Sequence, residues 1–324
     1  MLDRMRAVVQ DRYGGPEVLH LADVPRPVPG PGMVLIRVKA STVSQTDAHM
    51  RRAKPYFWRL ILGLRRPTRW PVLGVDLAGI VEDVGPGVTE FAVGDEVFGL
   101  MRWSGAHTDY VCVTEGSPIA HKPSSLSFEE AAAVSDGAMQ ALETLRRGKV
   151  KRGTNVVVYG GSGSLGSAAI QIAKHMDAHV TAVTSTKHVE LVRSLGAHDV
   201  IDYTVDDLTK RGPVFDVVID AVGKYAFYWG RRVLKPGGIY VETDFGPHKR
   251  STFFWWFASR WVGGKHLRFA AGRRVKADIL YMQELIELGA FRPVIDRTFP
   301  IEQVAAAHRY VDGWHKAGNV VLTF

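Results

Sequence analysis

Cysteine is almost absent: the 324 residues contain one, Cys112. A single thiol excludes a disulfide framework and any zinc site built on several cysteines. No uncharged apolar run approaches the roughly 20 residues of a membrane span. The opening Met1-Leu2-Asp3-Arg4-Met5-Arg6 lacks the apolar core of a secretory leader, so a cytoplasmic location is expected. No internal repeat or low-complexity tract is visible, and the composition is ordinary for a globular protein. The length allows two domains. Acidic residues are missing from two stretches. Residues 51–69 carry seven Lys/Arg and 249–276 carry eight, with no Asp or Glu in either. Outside them 26 basic residues stand against 33 acidic ones, so the net charge of +8 belongs to these two segments.

What is present begins with Val156-Val-Val-Tyr-Gly160-Gly-Ser-Gly163-Ser-Leu-Gly166. A β-branched run enters a turn with glycine at every third position. An apolar helix pattern follows through Leu165, Ala168, Ala169, Ile172 and Ala173. Strand, glycine turn and helix in that order are the context of a dinucleotide site. A diphosphate can rest on free N–H groups at a helix N-terminus, where the helix dipole favours negative charge. Gly160 permits the tight turn, Gly163 lets backbone approach the phosphates, and Gly166 lets the helix pack close to the strand. Ser162, Ser164 and Leu165 complete this turn. Strand-like runs at 179–184, 199–202, 214–220 and 239–242, with a helix over 189–195, continue the alternation. Such alternation predicts a parallel sheet with right-handed crossovers.

Residues 5 to about 120 differ. Short strands such as Val34–Lys39 are separated by Pro/Gly turns, which predicts an antiparallel β domain. Ser127 and Glu130 have capping-box spacing, so one helix is expected over 128–147. The expected division is a first domain of 1–123 and 295–324, and a dinucleotide-binding domain of 124–294. The strand at 319–324 is expected to return to the first domain.

The run Gly74-Val-Asp76-Leu-Ala78-Gly79-Ile-Val81-Glu-Asp-Val84-Gly85 continues through Phe91 to Gly94-Asp95-Glu-Val97-Phe98-Gly99. With the glycine turn, Asp220-Ala-Val-Gly223 and Leu234-Lys-Pro-Gly-Gly238, it resembles the medium-chain dehydrogenases/reductases over nearly the whole chain. The similarity is greatest to the zinc-independent quinone oxidoreductase branch, which includes proteins labelled NAD(P)-dependent alcohol dehydrogenases. It implies an α/β fold: a doubly wound Rossmann domain plus a GroES-like antiparallel β domain, with nicotinamide meeting substrate in a cleft between them. Zinc-dependent members carry Cys in the segment that here reads Ser44-Gln45-Thr46-Asp47. They have Gly-His-Glu at Gly74-Val75-Asp76 and a four-Cys lobe near 100–107. None of those ligands is present, and catalytic zinc needs three good ones. His175 and His179 straddle a helix end and the next strand, as a solvated pair would. No metal is expected.

An NAD-preferring site places Asp or Glu after its second strand. Here that place reads Thr184-Ser185-Thr186-Lys187-His188. Hydroxyls and a cation suit a 2′-phosphate, which a carboxylate would repel. In the resembled branch a Lys here and a Tyr after the third strand grip that phosphate, implying Lys187 and Tyr203 beside Ser185. The expected cofactor is therefore NADP(H), with Val222 and Gly223 flanking the nicotinamide.

Without zinc, alcohol oxidation loses the ion that acidifies the hydroxyl. A quinone or α,β-unsaturated carbonyl needs only a positioned hydride and donors near the oxygen where charge gathers. No Tyr-x-x-x-Lys pair supplies an acid, so the proton donor is left open, with water as one source. The resemblance brings Ser44, Asp47 and Met139 to the substrate side, and Tyr56 and Trp103 are candidate aromatic walls. Ser44 is shorter than the Asn many members have, and Asp47 fits a turn carboxylate equally well. The aromatic, basic segments 51–70 and 249–276 fit three roles: packing with a solvated rim, a substrate lid, or docking on an anionic membrane surface. No nucleic-acid module is readable. The oligomeric state is left open; the resembled branch often forms homodimers, and the strand at Ile239 is one edge that could extend a sheet across a two-fold axis. The alternatives to quinone or enone reduction are an NADP-dependent alcohol or carbonyl oxidoreductase, and a cofactor-binding sensing or structural protein without turnover.

Overall fold

The computed structural model describes residues 3–54, 56, 58–223, 226–243, 255, 264–270 and 275–324. Phe253, Phe254, Trp256, Phe257 and most of the second basic segment lie outside the described residues. The chain forms two compact units: Met1–Asp136 with Arg274–Leu288 and Arg292–Phe324, and Gly137–Arg273 with Gly289–Phe291.

In the first unit β1 (Arg4–Gln10) and β2 (Leu19–Pro25) form a two-stranded antiparallel ribbon. The larger sheet contains β3 (Met33–Val43), β4 (Asp76–Val84), β5 (Glu96–Leu100), β6 (Tyr110–Thr114), β7 (Ile119–His121), β14 (Ile295–Pro300) and β15 (Asn319–Thr323). Its order is β14-β15-β3-β4-β5-β7, with β6 also on β3. One edge of β3 pairs with β4. The other is shared, Met33–Arg37 with β6 and Ala40–Thr42 and Val43 with β15. The strand at the end of the sequence thus returns to the first unit, as expected. The sheet is not wholly antiparallel, because β14 runs parallel to β15. Two apolar clusters fill this unit. One centres on Val8, Met50, Leu62, Leu73 and Val311, the other on Ile36, Leu77, Val81, Val97 and Ile119.

The helices of the first unit are α1 (Gln45–Arg52), α2 (Trp58–Leu62), α3 (Phe128–Ala132), α8 (Lys276–Glu287) and α9 (Val304–Asp312). The single helix expected over 128–147 is two, α3 and then α4 (Ser135–Gly148). Ser127 and Glu130 do form the expected capping box, worth about 1 kcal/mol to the helix start. At the break the Asp136 N–H donates to the Asp76 carboxylate (2.7 Å). Because α3 packs on β3, β4 and β5, and α8 on β7, both belong to the first unit. The compact units divide at Asp136/Gly137.

The second unit is a six-stranded parallel sheet. Its elements are β8 (Asn155–Tyr159), α5 (Ser164–His175), β9 (His179–Thr184), α6 (Val189–Ser194), β10 (Asp199–Asp202), β11 (Phe215–Asp220), α7 (Phe227–Gly230), β12 (Leu234–Glu242) and β13 (His266–Phe269). The order β10-β9-β8-β11-β12-β13 reverses direction between β8 and β11. In doubly wound sheets that reversal opens a crevice at the carboxyl ends of the two strands, where ligands bind. The core joins Val157, Val218, Phe227, Val233 and Tyr240. One expectation fails here. Ile239 pairs with Val217 of β11 on one side and His266 of β13 on the other. Both edges of its strand are occupied, so it cannot extend a sheet into a second copy.

Candidate active site

Everything the glycine motif requires is gathered at the switch point of the second unit. β8 ends at Tyr159, and Gly160 turns the chain with φ +81°. A side chain at Gly160 would collide with Val222 at 2.2 Å, so the turn lies hard against the loop that follows β11. Gly166 sits in the first turn of α5, where a Cβ would stand 2.1 Å from the carbonyl oxygen of Gly160. This is the close helix–strand approach that the third glycine permits. Gly163 is the N-cap of α5, and no side chain caps the helix start there. An uncapped helix start is an anion site. Ser162, Ser164 and Leu165 line the same turn, all partly exposed. Ser164 lies under Gly137 of α4, where a Cβ would meet its hydroxyl at 2.1 Å.

The adjacent strands carry the remaining predicted cofactor residues. Thr184 and Asp202 are register partners at the ends of β9 and β10. The Tyr203 N–H donates to the Thr184 carbonyl (3.0 Å). Ser185 and Tyr203 therefore leave neighbouring strand ends, and Lys187 is exposed in the short 3-10 turn Thr186–His188. One acid stands near. The Thr186 hydroxyl first, and then Thr204 through its N–H (2.9 Å) and its hydroxyl (2.7 Å), donate to Asp202 and hold its pKa below the usual carboxylate range.

Asp220 is the residue that sequence reasoning passed over. It is buried at the end of β11. One carboxylate oxygen accepts from the N–H groups of Val222 (3.0 Å) and Gly223 (2.9 Å), and the other from the Tyr240 hydroxyl (2.9 Å). It thereby fixes the loop expected to flank the nicotinamide. The signal was available: an acid closing the apolar run Val217-Val-Ile is costly to bury unless it has work with the backbone.

The substrate-side candidates of the first unit form a different arrangement. Ser44 is the N-cap of α1; its hydroxyl donates to Asp47 (2.7 Å) and accepts from the Asp47 N–H (3.2 Å). Asp47 is fully buried and also accepts from the N–H groups of Ser44 (2.9 Å) and Gly74 (3.0 Å). Both side chains are thus engaged in the start of α1 and in tying it to the loop before β4. Beneath them the carboxylate of buried Asp76 accepts from Thr42 and from the Asp136 N–H. Burial, reinforced by the Asp136 charge, pushes the Asp76 carboxyl well above its ordinary range. His107 is fully buried with Nε2 on the Thr42 carbonyl (2.9 Å), and burial lowers its pKa. Burial also lowers Lys316 to about 8, against the opposing charges of Asp296, Asp136 and Asp76. Tyr56 is exposed, and Trp103 stacks on Trp70 with ring centroids 5.3 Å apart. Met139, in the second unit, is buried in α4 with almost no surface for a ligand.

These residues do not fit zinc. Among the described residues no three His, Cys, Asp or Glu side chains converge on one point. Asp76 is occupied by Thr42 and Asp136. His175 ends α5 and His179 opens β9, where His179 meets Asp199 (2.8 Å) and stacks on His198.

Comparison with known proteins agrees with the fold, although one matching family is described by a metal that these residues do not fit. Residues 30–142 match the alcohol dehydrogenase GroES-like domain, and 195–322 match a family described as zinc-binding dehydrogenase. Mitochondrial NAD(P)H oxidoreductase RTN4IP1 of Bos taurus is 31% identical over 361 residues, spanning 98% of this chain and 89% of that protein. The chloroplastic NADPH-dependent alkenal/one oxidoreductase of Arabidopsis thaliana is 33% identical over 332 residues, spanning 98% and 79%. Among solved structures, the quinone oxidoreductase from Coxiella burnetii superposes with a TM-score of 0.89 at 26% identity, covering 99% of this chain and all of that one.

Proposed function

Because the chain belongs to the medium-chain dehydrogenase/reductase superfamily, in its quinone oxidoreductase-like branch, we propose that it reduces quinones or α,β-unsaturated carbonyls with NADPH. The observation that carries this reading is the uncapped helix start at Gly163, set against the Val222 loop at the switch point, with no acid following β9. NADPH, when bound, supplies a hydride. Gly160, Ser162, Gly163, Ser164 and Leu165 hold the diphosphate on backbone N–H groups and the positive end of α5. Ser185, Lys187 and Tyr203 take the 2′-phosphate, which a carboxylate in that place would repel. Val222 and Gly223, set by Asp220, bound the nicotinamide.

The donor set supports double-bond reduction over alcohol oxidation. A hydroxyl substrate needs a Lewis acid or a base to take its proton, and the residues near Asp76 are not placed to hold a metal. An enone needs neither before hydride arrives; water delivers the proton afterwards. Tyr56 and Trp103 serve as aromatic walls. Ser44 and Asp47 act through the backbone they hold. The names of the relatives, an alkenal/one oxidoreductase and a quinone oxidoreductase, point the same way.

The test is loss of NADPH absorbance with a panel of quinones and α,β-unsaturated ketones, run beside saturated alcohols with NADP⁺. Turnover confined to the first set is expected. Alcohol oxidation at comparable rates would overturn the reading. Stabilisation by NADPH with no turnover on any substrate would favour a binding protein.

A further inference from the structure

The first cationic segment fits three roles by sequence, and the structure divides it in two. Arg51 is fully buried and paired with Asp312 (2.6 Å), which also takes Arg52 (2.9 Å). Arg59 lies over the rings of Tyr13 (5.2 Å) and Tyr56 (5.3 Å). Trp58 and Trp70 pack against the apolar core. These five are structural.

The rest point outward as a built unit. On α2, Trp58 and Leu62 are four apart and face the core, while Leu60 on the opposite face is 72% exposed. Gly63, at φ +134°, then turns the chain back. The turn is held by the Tyr13 hydroxyl donating to the Gly63 carbonyl (2.6 Å) and by the Arg69 N–H donating to the Leu62 carbonyl (3.2 Å). Its tip presents Leu64, 67% exposed, beside exposed Arg65 and Arg66. Exposed Lys54 and Tyr56 lie before α2. Lys54, Arg65 and Arg66 have no ion pair among the described residues. Between Asp47 and Asp76 the sequence has no acid at all.

We propose that α2 and the turn after it form a docking face for an anionic lipid surface, with Leu60 and Leu64 entering the headgroup boundary and Lys54, Arg65 and Arg66 meeting lipid charge. The combination selects this occupant. A polyanion such as nucleic acid needs the cations but gives two exposed leucines nothing to bury against. An interface between water and acyl chains uses both. Long basic side chains beside aliphatic ones can keep their heads at headgroup level while the apolar groups go deeper. The proposal rests on charge and exposure alone and does not depend on the reaction assigned above.

The experiment is vesicle flotation of the full chain, with phosphatidylcholine vesicles with and without one-third phosphatidylserine. The protein is expected to float with anionic vesicles only, and to be released at about 0.5 M salt, where screening is short-ranged. Arg65→Ala with Arg66→Ala should weaken binding about 30-fold, which is two cations at about 1 kcal/mol each. Leu60→Ser with Leu64→Ser should weaken it about tenfold or more while leaving the arginines in place. All four positions are exposed, so thermal midpoints should stay at the wild-type value. Failure of the wild-type protein to float would overturn the proposal. So would unchanged binding by either double variant, or flotation that RNA or polyglutamate competes away while the leucine variant binds normally.

Discussion

Two glycines of one motif should fail in opposite ways. At Gly166 a methyl group would stand 2.1 Å from the Gly160 carbonyl oxygen and 2.8 Å from the Gly161 Cα. Ordinary contact begins near 3.4 Å, so the start of α5 must retreat from β8 by about 1.3 Å. Overpacking of this kind costs about 1–3 kcal/mol, from which better helix propensity returns at most about 1. The Gly166→Ala protein should therefore melt several degrees lower in the absence of cofactor. At Gly163 the backbone has an ordinary φ of −73°, and a Cβ meets nothing nearer than 3.5 Å. Gly163→Ala should melt close to the wild-type temperature, because the gain of about 0.4–1 kcal/mol from restricting the unfolded chain is offset by alanine being a poorer N-cap than glycine. Its methyl group nevertheless occupies the mouth of the cradle. NADPH binding measured by calorimetry should weaken at least about tenfold, or 1.4 kcal/mol. Scanning fluorimetry of both variants, with and without NADPH, separates the two roles. A Gly163→Ala protein that binds NADPH as the wild type does would refute the placement of the diphosphate.

Lys187→Ala should cost about 1.5–3 kcal/mol of NADPH affinity and leave NADH nearly unchanged; equal losses, read by titration, would move the 2′-phosphate elsewhere. Asp312→Ala would strand the buried Arg51 guanidinium and should destabilise the first unit by about 3–5 kcal/mol in denaturant melts; a loss under about 1 kcal/mol would mean that the ion pair is incidental. Burial, with His107 close by, holds the fully buried His308 well below its ordinary pKa, and neither ring nitrogen has a hydrogen-bond partner among the described residues. The folded state thus binds fewer protons there than the unfolded chain, so stability falls as pH drops below about 6.5. His308→Leu should flatten part of that acid slope, by up to about 1.4 kcal/mol per pH unit; denaturant midpoints between pH 5 and 7.5 would reveal an unchanged slope if this is wrong.

The dinucleotide-binding fold was legible because its signals are local. Gly160 and Gly166 sit where backbone contact forbids a side chain, and the alternation of apolar strands with helices needs no distant partner to be read. Ser127 and Glu130 were legible for the same reason. What escaped detection depended on partners far along the chain. Nothing around residue 134 shows that the Asp136 N–H will turn to Asp76, sixty residues earlier, and split a helix. Ser44 and Asp47 read equally as substrate ligands or as a cap until Gly74 is brought to them. Arg51 looks like one more surface cation until Asp312 meets it. The pairing of β13 beyond β12 closes an edge that the β-branched run at 239–242 seemed to leave open. Local chemistry set the cofactor unit, and tertiary contacts decided the rest.

The position of β15 in the middle of its sheet has a consequence for biogenesis. Residues 40–43 of β3 are translated long before residues 319–323 that cover them, and at about 5–20 residues per second the gap lasts on the order of 10–60 s. Throughout that interval β3 offers an uncovered hydrogen-bonding border, while the continuous stretch 137–273 can already collapse into its own sheet. The nascent polypeptide must therefore shield or tolerate an unfinished sheet while the nucleotide-binding unit is already folded, which makes this edge the place where chaperones would be needed and where premature termination would lead to aggregation.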